Sequence, residues 1–225
     1  MIPSDRAQKL DATILAPDAT SAQVHKLVTD ALQHGCYAVV VAPVWAGRVA
    51  TMLRGSGVRV CAACSFPFGF SKSTVKAIEA TAAVKDGADE IEVVPHLPNL
   101  INADFDATRA ELLEIARAVR AARRDAVIKV VVESAMLINL GAERAERATE
   151  SACRAIRESG GDAAVTSTGF QAAGGATAEA VSLLKKHGQG LLIKAAGGID
   201  SRQTVESLRA AGAERIGITS MLVLE

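Results

Sequence analysis

The sequence lacks the features that mark nucleic-acid-binding and membrane proteins. Its 225 residues carry 25 basic and 25 acidic side chains, so the formal net charge is zero, and aromatic residues make up only 3%. A balanced charge offers no basic surface for nucleic acid, and few aromatic rings remain on which bases can stack. No apolar run is long enough to span a membrane, and residues 1–10 contain no signal-peptide core. We therefore expect a cytoplasmic protein without nucleic-acid or membrane partners.

Cysteine is also scarce, which bears on metal and redox sites. Cys61 and Cys64 have the spacing of a metal or redox pair, but no second Cys/His pair completes a metal site. A redox pair normally opens a helix, whereas these two lie in an apolar, strand-like run. We expect them, with Cys36 and Cys153, to be buried free thiols. The sequence thus predicts neither a metal nor a cofactor.

Apolar strand-like segments alternate with helix-like segments along the whole chain. Most strand candidates are almost continuously apolar, as expected for parallel strands covered on both faces. The strands are predicted at Lys9–Leu15, Tyr37–Ala42, Val58–Cys64, Glu90–Val94, Val127–Val132, Ala163–Thr166, Leu191–Ala195 and Arg215–Ile218. The helices are predicted at Ser21–His34, Val44–Leu53, Ser73–Asp86, Phe105–Arg123, Ala142–Ser159, Ala176–His187 and Ser201–Ala211. This order predicts an α/β fold, a (β/α)8 barrel forming one domain over residues 1–225 with a short C-terminal end; a doubly wound open sheet is the alternative.

Charged side chains interrupt several of the predicted strands. Asp11, Glu92, Lys129 and Lys194 each lie among apolar neighbours, where an unpaired charge is costly. Because active sites of such barrels lie at the carboxyl ends of the strands, these four are candidate catalytic residues. A structural salt-bridge network inside the barrel is the alternative interpretation. His96, just beyond strand four, is a further candidate base.

Loops suited to binding an anion follow the last three predicted strands. Gly169 follows strand six, Gly197 and Gly198 follow strand seven, and Ser220 lies beyond strand eight. Backbone N–H groups in such loops commonly bind phosphate in these barrels, so the four residues are candidates for an anion loop. Tight turns would also explain the glycines. Asp200 argues against phosphate, because a carboxylate beside the loop repels an anion.

Several segments resemble motifs of the deoxyribose-phosphate aldolases, over residues 10–220. The similar segments are L-D-A-T at 10–13, P-D-A-T at 17–20, F-P-F-G at 66–69, G-A-D-E-I-E at 87–92, I-K-V at 128–130 with Glu133, T-S-T-G-F at 166–170 and K-A-A-G-G-I at 194–199. The resemblance implies an enzyme, a lyase with a barrel fold. It also implies that a lysine preceding T-S-T-G-F forms a Schiff base with the substrate.

The chain departs from the family pattern at the site that the resemblance implies. Val165 stands where the family has its Schiff-base lysine, and Glu92 stands where it has a proton-relay aspartate. Four other family residues are also replaced. Ala12 stands in place of a histidine, Val40 of a cysteine, Ala42 of an asparagine and Asp200 of an arginine. The substrate pocket is therefore expected to contain Val165, Ala12, Ala42, Val40, His96, Thr166 and Ser167.

Three functions remain open. We favour an enzyme that uses non-covalent acid–base chemistry on a carbonyl compound, with Glu92 as the base, Asp11 as its partner, and Lys194 and Lys129 stabilising an oxyanion; retro-aldol cleavage, enolisation, dehydration or cyclisation would fit. One alternative is 2-deoxyribose-5-phosphate aldolase activity with Lys194 as the amine. The other is a non-catalytic ligand-binding protein. The expected partners are a small carbonyl substrate, phosphorylated or not, and a second copy of the chain in a homodimer.

The position of Glu92 leads to a geometric prediction. Its side chain should point into the barrel and form an ion pair with Lys194, shared with Asp11, at roughly 2.7–2.9 Å.

Overall fold

The structure is a computed structural model and describes residues 9–224, without the side chains of Leu222 and Leu224. The predicted domain of residues 1–225 thus includes nine residues, 1–8 and 225, that lie outside the described part. None of the described helices is long and apolar enough to cross a membrane.

Eight parallel strands form a closed barrel in chain order. They are β1 Leu10–Ile14, β2 Ala38–Val41, β3 Arg59–Cys64, β4 Glu90–Val93, β5 Val127–Val131, β6 Ala163–Val165, β7 Leu192–Ala195 and β8 Arg215–Ile218. The last strand pairs with the first, with Asp11 opposite Gly217, so the sheet has no open edge. The predicted (β/α)8 barrel is confirmed, and the open doubly wound sheet is wrong.

Helices surround the barrel. They are α1 Ser21–His34, α2 Ala46–Met52, α3 Ser73–Lys85, α4 Leu97–Ile101, α5 Phe105–Ala122, α6 Ser134–Ile138, α7 Ala142–Glu158, α8 Ala178–His187 and α9 Arg202–Ala210. The sequence did not predict the five-residue helices α4 and α6, which are too short to show a helical period. A 3-10 turn at Pro43–Trp45 precedes α2, and another at Met221–Leu224 follows the last strand.

The first helix shows how the local sequence sets its ends. Thr20 accepts a hydrogen bond from the backbone of Gln23, and the side chain of Gln23 bonds back to the backbone of Thr20. Gly35 ends the helix with φ of 65°, a left-handed conformation that glycine adopts without strain. These caps define the two ends of α1, and a short connection then leads from Gly35 to β2.

The alternation of side chains along each strand determines which residues enter the barrel. Neighbouring strands place Glu92 beside Lys129 and Val165 beside Lys194. Because successive residues of a strand point to opposite faces, the residues between these positions face the helices and form the main apolar core. The charged residues of the strands are therefore gathered inside the barrel.

Candidate functional site

Lys194 and Glu92 form a buried ion pair inside the barrel. Nζ of Lys194 lies 2.6 Å from Oε2 of Glu92 and 3.0 Å from Oδ2 of Asp11. All three side chains are almost completely buried. Glu92 thus points into the barrel, and Asp11 shares the ammonium group, as predicted from the sequence.

Lys129 lies beside this pair and binds three carboxylates. Its Nζ is 2.9 Å from Oε2 of Glu90, 3.2 Å from Oε2 of Glu92 and 3.4 Å from Oδ2 of Asp11. The four predicted catalytic residues are therefore brought together in one cluster, and Glu90 joins them.

Arg215 completes the cluster; neither it nor Glu90 was among the four catalytic residues predicted from the sequence. The Arg215 guanidinium donates to Oδ1 of Asp11 from Nε at 2.8 Å and from Nη2 at 2.5 Å, and to Oε2 of Glu90 at 3.1 Å. The guanidinium carbon lies 3.8 Å from the ring centroid of Tyr37, a cation–π contact that covers its other side. A charge at the start of an otherwise apolar strand was the available signal for both residues.

The buried charges of this cluster balance among the described residues. Three carboxylates, Asp11, Glu90 and Glu92, face three cations, Lys129, Lys194 and Arg215, so the sum is zero. We call these six residues the charge cluster. The balance reduces the cost of burying each member, which would be several kcal/mol for an ion on its own.

The charge cluster holds its carboxyl groups ionised. Burial alone raises the pKa of Asp11 and of Glu92, but the nearby cations, Lys194 first among them, lower both pKa values below their ordinary range by a larger amount. Burial lowers the pKa of Lys129, and the surrounding acidic groups raise it well above its ordinary value. At neutral pH Glu92 is therefore a carboxylate and Lys129 an ammonium.

A cavity of about 230 Å³ opens above Lys194 and Glu92. Phe66 and Phe170 stand at its mouth, with ring centroids 5.3 Å apart and ring planes at 83°, and Phe170 is 47% exposed. The other lining residues are Thr13, Leu15, Ala16, Ser167, Thr168, Gly169, Ala196, Gly197, Gly198, Ile199, Gly217 and Thr219. The cavity is thus mostly apolar, with one ion pair at its floor.

A family model for DeoC/LacD family aldolases matches residues 7–222. The chain belongs to this aldolase family. It is 42% identical over 214 residues to the deoxyribose-phosphate aldolase of Mycobacterium tuberculosis, covering 95% of this chain and 91% of the relative. It is 41% identical over 211 residues to that of Mycobacterium avium, covering 93% and 91%.

Solved structures of aldolases share the fold. The deoxyribose-phosphate aldolase of Aeropyrum pernix, described as a tetramer, superposes with a TM-score of 0.86 and 30% identity, covering 97% of this chain and 88% of that one. An aldolase called QR15 gives a TM-score of 0.85 and 33% identity, covering 97% and 93%. The predicted family and the prediction of an aldolase-family enzyme are confirmed.

Some residues predicted for the substrate pocket lie below the cavity or away from it. Val165 is fully buried inside the barrel, beside Lys194 in the sheet. Val40 is also inside and packs with Cys61 and Ala63. Ala12 faces the helices, because Asp11 and Thr13 on either side of it face the interior; its assignment to the pocket is corrected.

Two other predicted pocket residues stand at the ends of strands without lining the cavity. Ala42 is half-buried and precedes the 3-10 turn. Thr166 is buried, and its Oγ1 donates to the carbonyl oxygen of Ala196 and accepts from the nitrogen of Ala196, both at 3.0 Å. Thr166 therefore ties the loop after β6 to the loop after β7.

His96 does not reach the cavity. It is exposed at the start of α4, its Nδ1 lies 3.2 Å from Oδ1 of Asn99, and its backbone N–H donates to Glu111. Its assignment to the pocket is therefore corrected, because the chain turns outward after β4. Ser220 is exposed and does not line the cavity either. Of the pocket and anion-loop residues predicted, Ser167, Gly169, Gly197 and Gly198 line the cavity.

Glu133 does not line the cavity but binds Thr168, which does. It is buried and has φ of 51°, a left-handed conformation that is uncommon outside glycine. Its Oε1 accepts hydrogen bonds from the backbone N–H and the hydroxyl of Thr168, at 2.9 and 2.5 Å. Burial raises the pKa of Glu133, against the lowering effect of these hydrogen bonds. Glu133 thereby positions the loop that carries Thr168 along the cavity.

Proposed function

We propose that the protein is an aldolase that makes or breaks the carbon–carbon bond beside the carbonyl group of a small substrate. The observation that carries this proposal is the Lys194–Glu92 ion pair at the floor of the cavity. Family membership and the 42% identity to a deoxyribose-phosphate aldolase support aldol chemistry. Lys194 and Glu92 are the ionisable side chains among the described residues that line the cavity.

In the mechanism we favour, Lys194 acts as a cation and forms no covalent bond. Glu92, ionised at neutral pH, accepts the proton of the hydroxyl group on the carbon beyond the bond to be broken. That C–O bond becomes a carbonyl, the carbon–carbon bond breaks, and its electron pair passes to the carbonyl oxygen of the other fragment. The ammonium group of Lys194 stabilises the resulting enolate, and the proton on Glu92 returns to the enolate carbon.

The other members of the charge cluster position these two groups. Asp11 binds Lys194 at 3.0 Å, and Lys129 binds Glu92 at 3.2 Å. Val165 lies beside Lys194 and has no amine. Because the non-covalent route uses only the ammonium group of Lys194, it is compatible with a valine at this position. Enolisation, dehydration and cyclisation would instead begin with Glu92 removing a proton from the carbon beside the carbonyl group, with Lys194 stabilising the enolate oxygen as before.

A second candidate is 2-deoxyribose-5-phosphate aldolase activity in which Lys194 forms an imine. The sequence similarity to enzymes with that name favours it. In this route Lys194 must first transfer its proton, and Glu92 at 2.6 Å is the nearest acceptor. The neutral amine then attacks the carbonyl, and water leaves as the imine forms.

Reductive trapping distinguishes the two routes. The protein is incubated with acetaldehyde and sodium borohydride, and peptides are examined by mass spectrometry. The non-covalent route predicts no reduced adduct on Lys194, whereas the imine route predicts one. Lys185→Met, which removes an exposed lysine paired with Glu214, is the control for non-specific labelling.

Activity is measured separately, by detecting the aldol product of acetaldehyde with glyceraldehyde or glyceraldehyde 3-phosphate by NMR. We expect Lys194→Met to abolish product formation and Lys185→Met to retain it. If the wild-type protein forms no product from either acceptor, the proposed aldolase function is wrong.

The homodimer stays a prediction. The Aeropyrum pernix relative is described as a tetramer, which supports self-association in the family without giving the number of copies for this chain. Light scattering coupled to gel filtration measures that number directly.

A further inference from the structure

We propose that the cavity accepts an uncharged carbonyl substrate in preference to a phosphate ester, and that Asp200 sets this preference. This inference names the substrate class for the aldolase function proposed above and rests on it. The relatives are named for a phosphorylated sugar, so the proposal separates this chain from them by substrate charge.

The cavity offers no unpaired positive charge to a phosphate group. Lys194 is the cation among the described residues that line it, and two carboxylates already bind Lys194 at 2.6 and 3.0 Å. A phosphate monoester carries a charge of about −1.5 to −2 at neutral pH. Entering the cavity would remove much of its hydration without a new cation in return.

The glycines of the candidate anion loop have a structural explanation that involves no ligand. A Cβ on Gly169 would lie 3.0 Å from Cα of Gly197, and a Cβ on Gly197 would lie 2.9 Å from the nitrogen of Gly169. A Cβ on Gly175 would lie 2.2 Å from the carbonyl oxygen of Gly197. Close approach of the two loop backbones therefore explains Gly169, Gly175 and Gly197, whereas Gly198 is explained by its φ of 70°.

Asp200 adds a negative charge beside the same loop. It follows Ile199, whose side chain lines the cavity, and it is exposed. Within the described residues it makes no ion pair that would neutralise it. It also precedes Ser201, which caps α9 by accepting a hydrogen bond from the backbone of Thr204. Asp200 therefore lies one residue before the capping residue of α9, where a carboxylate is favoured by the partial positive charge of the helix start.

The remaining walls suit a short, uncharged carbon chain. Leu15, Phe66, Phe170 and Ile199 supply apolar contacts, and Ser167 supplies a hydroxyl group that is buried without a hydrogen-bond partner among the described residues. That hydroxyl can bond to a neutral hydroxyl or carbonyl group of the substrate. The cavity therefore combines uncharged hydroxyl groups with apolar walls above the Lys194–Glu92 pair.

Binding of glycerol 3-phosphate tests the inference without requiring turnover. Isothermal titration compares the wild type with Asp200→Arg and with the uncharged control Asp200→Asn. We expect no saturable binding to the wild type up to about 10 mM, and binding at least about tenfold tighter to Asp200→Arg than to Asp200→Asn. Saturable binding to the wild type, or equal binding by the two variants, would overturn the proposal.

Turnover gives a separate check on selectivity. With acetaldehyde as donor, we expect the wild type to use glyceraldehyde at least about tenfold more efficiently than glyceraldehyde 3-phosphate, a difference of about 1.4 kcal/mol in transition-state stabilisation. A higher efficiency with the phosphorylated acceptor would refute the inference and leave the aldolase proposal standing. If neither acceptor reacts, the aldolase proposal fails, and the titration still decides whether Asp200 excludes phosphate.

Discussion

Replacing Glu92 with Gln separates its chemical role from its structural one. Glutamine has nearly the same shape as glutamate but carries no charge and cannot accept the substrate proton as a carboxylate does. The substitution removes the ion pairs of Glu92 with Lys194 at 2.6 Å and with Lys129 at 3.2 Å. The charge cluster then has three cations and two carboxylates.

The structure sets the size of the expected stability loss. Lys194 keeps its ion pair with Asp11, and Lys129 keeps those with Glu90 and Asp11. Removing one partner of a buried ion pair costs about 3–5 kcal/mol, and the remaining partners place this case at the lower end, about 3 kcal/mol. For a chain of this length that corresponds to a decrease in Tm of about 6–12 °C. The variant should therefore remain folded at room temperature.

We expect Glu92→Gln to lose nearly all of its aldol activity while the protein stays folded. Loss of a general base reduces the rate by about 100- to 10,000-fold. Glu90→Gln is the matched control, because it makes the same charge change and removes ion pairs with Lys129 and Arg215, while Glu90 does not line the cavity. The measurements are thermal unfolding and aldol product formation, made on both variants at a temperature where both are folded.

Two outcomes would refute the role given to Glu92. Full activity in Glu92→Gln would show that no proton passes to this carboxylate. Equal losses of activity in Glu92→Gln and Glu90→Gln would show that both act only through the charge balance. The pH dependence supplies a further check: because the pKa of Glu92 is lowered by its cations, its stabilising contribution is present above its ordinary value of 4.5 and is lost as the pH falls through the lower value in the folded protein.

Three further predictions concern other positions. Val165→Lys adds a fourth cation to the balanced charge cluster, so we expect lower stability and at most weak aldol activity, measured by imine trapping and product formation; near-complete aldolase activity would show that the other departures from the family pattern matter little. For Glu133, whose pKa burial raises, we expect Glu133→Gln to gain stability relative to the wild type as the pH rises above the ordinary glutamate value of 4.5, measured by urea unfolding; a constant difference would contradict the raised pKa. Burial raises the pKa of Cys36, Cys61 and Cys153 to about 12, so we expect these thiols to react with Ellman's reagent only after unfolding; rapid reaction of the folded protein would contradict their burial.

The barrel was predictable because its strands are covered on both faces. Each strand appears in the sequence as an almost continuous apolar run, and a charge within such a run is conspicuous, which is how Lys129 and Lys194 were found. Glu90 and Arg215 were harder to select because each is the first residue of its strand, where the apolar run has not yet begun.

The residues along the sides of the cavity were harder to predict from the sequence than the charged residues beneath it. Whether a strand residue faces the barrel or the helices depends on a two-residue period, and an apolar strand gives no polar alternation from which to read it. Ala12 was placed in the pocket through the family resemblance, although the polar residues Asp11 and Thr13 on either side of it indicate the opposite face. Glu133 could not be assigned a role from sequence, because its hydrogen bonds to Thr168 join residues 35 positions apart.

The contact between the two glycine loops restricts how this enzyme can change its specificity. A side-chain atom on Gly175 or Gly197 would collide with the opposite backbone, and Gly169 combines a tight contact of 3.0 Å with a φ of 82°, so a substitution at any one of them alone is strained. At Gly198 a Cβ atom would meet nothing within 4 Å, although the φ of 70° still disfavours other residues. Variation at this edge of the cavity is therefore confined to neighbours such as Phe170 and Asp200. Libraries that aim to alter substrate choice should be directed to those two positions and should leave the glycines unchanged.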